Sequence, residues 1–325
     1  MTADGISPSP VTRHPSMPLL RDAFLKLSTN AAARNFIVGF PLSRKVTRRF
    51  VAGETLDDAI GAVQKLNSEG LLATLDHLGE SVANADDARR AKDDYLIALD
   101  AIQQHNLQSH VSVKLTHMGL DIDPALCLDN MRQIVAKAQA IGTKTRIDME
   151  DSARTQITLD IFKQLRAEYD NVGIVIQAYL FRSAADMQEL YDMGARVRLC
   201  KGAYKEPPDI SFALKKDTDA NYLKLSEIFL GANGEYTGAH LALATHDAKI
   251  IDWAKQYIKE HNVPYDRFEF QMLYGIRSDL QRQLVQEGYT MRVYVPYGSQ
   301  WYPYFMRRLA ERPANVIFLL SNLFK

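Results

Sequence analysis

The residues best placed to do chemistry near the C-terminus lie in "YPYFMRRLAERP", Tyr302 to Pro313. At about 100° per residue, Tyr304, Arg307, Arg308 and Glu311 fall on one face of a helix, with Phe305, Met306, Leu309 and Ala310 on the other. Two adjacent guanidiniums on one face make a forked donor set suited to a carboxylate or phosphate. A solvated polar face over a buried apolar one is the plainer alternative, and the helix by itself does not decide between them.

A second set of reactive side chains recurs along the chain. Eight short apolar or alternating runs, each followed by a polar cluster, carry them: "LLATLDHLGE" (71–80), "VSVKLTHMG" (111–119), "TRIDMED" (145–151), "VGIVIQAYL" (172–180), "RVRLCKGAY" (196–204), "LALATHD" (241–247), "FEFQMLYG" (268–275) and "RVYVPYG" (292–298). Their ends hold Asp76 and His77, Lys114 and His117, Asp148 with Glu150 and Asp151, Gln177 with Tyr179, Arg198 with Lys201 and Tyr204, Thr245 with His246, Glu269 with Gln271, and Arg292 with Tyr294. A charge inside a strand is costly unless it is paired or binds something. Any one of these could be a satisfied core group, but eight such ends together point to a site.

Amphipathic stretches such as "ALCLDNMRQIVAKAQAIG" separate the strands, so the rhythm is that of parallel βα units. Eight units predict an α/β fold, a (β/α)8 barrel whose C-terminal strand ends line one mouth. The organisation expected is a disordered tail over 1–20, helices over 21–70 and the barrel over 71–325. The connection over 205–239, polar in its first half, is expected to be a long lid-like loop.

Composition narrows the chemistry. Apolar residues make up 46% of the 325 positions, and 39 Lys+Arg balance 39 Asp+Glu, which disfavours a nucleic-acid partner. Cys127 and Cys200 are far apart, which suits a reducing compartment. No apolar run reaches the length of a membrane span, and the first residues lack the apolar core of a signal peptide. A soluble cytoplasmic protein is expected. The basic "RKVTRRF" (44–50) allows peripheral contact at the inner face of the membrane, although a solvated helix end is the simpler reading. GxGxxG, P-loop, GxSxG and HExxH motifs are absent. His77, His117 and His246 show no metal-ligand spacing, so no metal is expected. Schiff-base chemistry through Lys114 or Lys201, and a flavin site, remain open at this point.

"RVRLCKGAYKE", "ATHD", "FEFQMLYG", "RVYVPYG" and "YFMRRLAE", in that order, resemble the monofunctional bacterial branch of the proline dehydrogenase family. The similarity runs from about Phe50 to the end. It implies a distorted barrel binding FAD, with a last helix over the mouth. The implied cofactor contacts are Gln177, Arg198, Cys200, Lys201, Gly202, Thr218, Thr245 and His246, with Thr218 placed in the long loop. Those around the substrate are Lys114, Asp148, Leu199, Tyr204, Tyr294, Tyr304, Arg307, Arg308 and Glu311. Lys205 stands where bifunctional relatives carry tryptophan. The implied reaction is oxidation of L-proline to 1-pyrroline-5-carboxylate by hydride transfer to the flavin, with a quinone as the next acceptor. A lysine-dependent aldolase acting on a carboxylate is the alternative.

Overall fold

The computed structural model describes residues 48–79, 81–231 and 236–311, with the side chains of 307–311 left out. Two compact units divide the chain: one spans 48–299, and residues 300–311 belong to the other. The tail over 1–20 and the basic stretch up to Thr47 lie outside the described residues.

In the larger unit, helix α1 (Leu56–Ser68) starts at a capping box in which Thr55 accepts from the Asp58 amide and Asp58 reaches back. Eight strands follow: β1 (Leu72–His77), β2 (Ser109–Val113), β3 (Thr145–Ile147), β4 (Val172–Gln177), β5 (Arg196–Cys200), β6 (His240–Ala244), β7 (Phe268–Leu273) and β8 (Met291–Tyr297). Between them run α2 (Ala85–Gln104), α3 (Pro124–Ala140), α4 (Ser152–Glu168), α5 (Ser183–Asp192), α6 (Lys215–Leu230), α7 (Ala248–Glu260) and α8 (Ser278–Gln286). Every strand pairs in parallel with its neighbours in chain order, and β1 closes on β8 with Leu72 opposite Arg292. This is the closed parallel α/β barrel expected from the eight-fold rhythm. The 205–239 connection departs from expectation. Its "KKDTDANY" half is the start of α6, so Thr218 is a buried helical residue rather than part of a loop.

Strand alternation sorts the side chains into two populations. On the outer face, Val111, Val113, Ile147, Ile174, Ile176, Val197, Leu199, Leu241, Leu243, Val293 and Val295 form one apolar layer with the helices. Burying each such side chain stabilises the fold by about 1.5–3 kcal/mol. The inner face is polar instead: Thr74 and Asp76, His110 and Ser112, Arg146, Gln177, Arg198, Glu269 and Gln271, and Arg292 are all buried there. Barrels of this type usually fill with branched apolar residues. A polar filling survives only if its members bond one another.

The described part of the second unit is helix α9 (Trp301–Glu311). Its helical backbone carries Tyr304, Arg307, Arg308 and Glu311 at the spacing expected. The side chains of Arg307, Arg308 and Glu311 lie outside the described residues.

Candidate active site

Asp148 follows β3 and is the hub of the inner face. Its Oδ1 accepts from the Ser112 hydroxyl at 2.7 Å and from Arg198 Nη1 at 2.8 Å, and its Oδ2 accepts from the Tyr294 hydroxyl at 2.9 Å. Lys114 Nζ lies 3.6 Å from Oδ2 and donates to Asp76 at 3.1 Å. Groups from four strands, β2, β3, β5 and β8, thus meet at one carboxylate, and Lys114 ties Asp76 of β1 to it. Burial would raise the Asp148 pKa, but Lys114 and then Arg198 outweigh it and hold the carboxyl below its usual range. Burial, reinforced by the Asp148 charge, drives the Tyr294 hydroxyl well above the ordinary tyrosine value, so it stays a neutral donor.

Arg198 joins the hub to the layer below. Its Nε donates to Gln271 Oε1 at 2.6 Å, and its guanidinium stacks 5.1 Å from the Tyr294 ring centroid. The remaining nitrogen, Nη2, is buried with no hydrogen-bond partner among the described residues. A buried guanidinium nitrogen left without an acceptor is a donor waiting for a ligand atom.

The rim is pinned by amide and ion-pair contacts. Gln177 donates to the Glu150 carbonyl at 2.7 Å and accepts from the Ala203 amide at 3.2 Å, tying the loop after β5 to the loop after β3. Gly202 in that loop has φ +123, and a Cβ there would meet the Tyr179 ring at 2.2 Å, so any side chain would both strain the backbone and collide. Lys201 bridges Asp247 at 2.8 Å and Asp219 at 2.5 Å, linking the β5 loop to α6 and to the β6–α7 turn. Thr245 accepts from the Asp247 amide, and His246 Nε2 accepts from the Leu273 amide at 2.9 Å. That bond places the His246 proton on Nδ1 whenever the ring is neutral. Cys200 and Tyr204 are half-buried at and just beyond the end of β5.

The structure therefore brings Lys114, Asp148, Arg198 and Tyr294 together and arranges Gln177, Cys200, Lys201, Gly202, Thr245 and His246 along one sector of the rim. Leu199 does not join them. It alternates with Arg198, is fully buried in the layer beneath the helices, and offers its carbonyl to Tyr222 at 3.1 Å. Its expected place against the substrate is corrected: neighbours in a strand point to opposite faces. Glu269 and Arg292, read from the sequence as mouth groups, are second residues of their strands and lie at the opposite, N-terminal end. Ser112 was missed, though its position two residues before Lys114 places it on the same face. Among the described residues, no group of three or more His, Cys, Asp or Glu could hold a metal ion.

Comparison with known proteins decides the family. The family model described as proline dehydrogenase matches residues 59–320. The chain belongs to the proline dehydrogenase family. It is 44% identical to proline dehydrogenase 1 of Bacillus subtilis over 307 residues, covering 94% of this chain and all of that one. It is 42% identical to proline dehydrogenase of Deinococcus radiodurans over 285 residues, covering 86% of this chain and 90% of that one. The solved structure of proline utilization A from Bdellovibrio bacteriovorus, inactivated by N-propargylglycine, superposes with a TM-score of 0.78 at 24% identity. It covers 90% of this chain and 37% of that chain, and likeness at that identity speaks for the shared barrel alone. Membership in this family sets the aldolase alternative aside.

Proposed function

We propose that this chain oxidises L-proline to 1-pyrroline-5-carboxylate with FAD as its cofactor. The observation that carries the reading is the Asp148–Arg198–Lys114–Tyr294 hub, with an Arg198 Nη2 that is buried and has no hydrogen-bond partner among the described residues, in a chain of this family. That buried nitrogen fits an acceptor atom of a flat, hydrogen-bonding heterocycle. Gln177, Cys200, Lys201, Thr218, Thr245 and His246 would hold the remainder of the cofactor. Bound FAD would supply the acceptor for the hydride, and so for the two electrons, lost from the carbon next to the proline nitrogen.

The protein's own groups do the rest. Arg198 is fixed on three sides by Gln271, Ser112 and Asp148, so its charge is oriented before any ligand arrives. Asp148 also holds the Tyr294 hydroxyl, which sets the aromatic wall against which an apolar ring packs. Arg307 and Arg308 bind the proline carboxylate through forked hydrogen bonds, with Glu311, one turn on, balancing their charge. Tyr204 and Tyr304 complete the enclosure. Fixing the carboxylate at one end and the ring at the other makes orientation the main catalytic contribution. A quinone-type acceptor takes the electrons onward, and the basic segment 44–50 contacts an anionic membrane surface to reach it.

Steady-state oxidation with a dye acceptor, following 1-pyrroline-5-carboxylate, tests the reading. L-proline is turned over and prolinamide is a poor substrate, because the amide lacks the charge the arginines grip. Equal kcat/KM for the two would remove the carboxylate clamp. The proline amine must lose its proton to push electrons into the C=N bond, so kcat/KM rises with pH from mildly acidic to mildly basic solution. A flat profile over that range contradicts the mechanism.

A further inference from the structure

The mouth network is balanced, with Arg198 and Lys114 facing Asp148 and Asp76. The opposite end of the same barrel is not. There the inner face presents Arg146 from β3, Arg196 from β5, His240 from β6 and Arg292 from β8, with Lys144 in the loop entering β3. The carboxylate among them, within the described residues, is Glu269. It is already engaged by Arg292 through Nε at 2.9 Å and Nη2 at 3.2 Å, and by Gln271 Nε2 at 2.5 Å.

Among the described residues, the other two arginines have no carboxylate in salt-bridge contact. Arg146 lies across the bare face of Gly173 and donates from Nη1 to the carbonyls of Arg196 at 2.7 Å and Ile174 at 3.2 Å, bonds to neutral acceptors that leave its charge unpaired by a carboxylate among the described residues. Arg196 and His240 are register partners on adjacent strands. Arg196 Nε and His240 Nδ1 are both buried without a hydrogen-bond partner among the described residues, and His240 is only 6% exposed. Burial pushes Lys144 and Arg196 downward and takes His240 to about 3; the neighbouring arginines add to this, and the Glu269 charge offsets only part of it.

We propose that the N-terminal floor of the barrel is a binding site for a small tetrahedral oxyanion of the phosphate class, held by Arg196, His240 and Lys144. Arg196 and His240 sit side by side on β5 and β6, and Lys144 at the entry to β3 lies near enough to Arg196 to feel its charge, so donors from three separate backbone segments are available to an acceptor with several oxygens. One bound anion would give both buried nitrogens a partner and offset positive charge that Glu269, shared with Arg292, offsets only in part. Lys144 is exposed, so one arm of the proposed site reaches solvent on the side away from the mouth. Occupancy would stabilise the barrel by mass action.

The test is thermal unfolding of the purified flavin-loaded protein, titrated with inorganic phosphate while sodium chloride holds ionic strength constant. In the wild type the midpoint climbs and saturates. In Arg196→Gln the saturable rise is lost, because removing a charge-assisted partner weakens binding by roughly ten- to a hundredfold. Lys144→Ala, a change at an exposed residue, keeps the fold and shifts the half-saturating phosphate concentration upward severalfold. A flat or unsaturating wild-type response overturns the proposal, as does the same saturable rise in Arg196→Gln. Where Arg196→Gln yields no folded protein, Lys144→Ala decides, and an unchanged half-saturation overturns it.

Discussion

Replacing Asp148 with alanine is expected to cost about 3–5 kcal/mol of folding stability, the usual penalty for stripping a buried charge of its counter-ion. The change leaves Arg198 and Lys114 facing Asp76 alone and takes the acceptor from Ser112 and Tyr294. Chemical denaturation of the flavin-loaded protein measures this, and a loss below about 1 kcal/mol would show that water or rearrangement replaces the hub. The pH dependence has a definite sign. Asp148 has a folded pKa below its unfolded one, so its contribution is present above the ordinary carboxylate range and fades as pH falls through the folded value. The gap between wild type and variant therefore narrows in acid. Activity falls as well, on the order of a hundredfold, since Arg198 loses its fixed orientation.

Arg308→Met is the second large effect, and its signature differs. Loss of one charge-assisted arm raises KM for L-proline by roughly ten- to a hundredfold, from about 1.5–3 kcal/mol, while flavin content stays near that of wild type. The split between substrate and cofactor is the informative part. A variant that saturates with proline as the wild type does would take the arginine pair out of substrate binding. A variant purified colourless would move Arg308 to cofactor binding.

Much of the architecture was readable in advance because its signals are local. Each strand announced itself by a short apolar run between polar clusters, and the eight-fold repetition implied closure. What could not be read was which side of a strand a residue takes once the run is short and apolar on both faces. Leu199 is the example: its neighbours Arg198 and Cys200 face inward, so it packs against helices although the motif it belongs to contributes to the site. Depth along the barrel was equally hidden. Glu269 and Arg292 have the same composition signal as mouth residues, and the parallel register sends them to the floor. Thr218 was misplaced because "KKDTDANY" is polar enough to look like a loop, whereas Tyr222 and Leu225 anchor it as a helix.

Ser112 shows what a closer reading could have recovered. A small hydroxyl residue alternating with Lys114 in a fully buried strand is costly unless it serves a neighbour, and it bonds both Asp148 and Arg198. Gln271 is similar, relaying between Arg198 and Glu269 and so joining the mouth to the floor in one hydrogen-bonded chain. That chain means polar residues far from the substrate fix the orientation of Arg198.

The most direct measurement of the central claim is an anaerobic titration of the purified protein with L-proline, watching the flavin absorbance near 450 nm, roughly. The account predicts a yellow protein that bleaches stoichiometrically as proline is added and regains colour when a quinone is supplied. A protein that carries flavin yet keeps its full colour under saturating L-proline would contradict it.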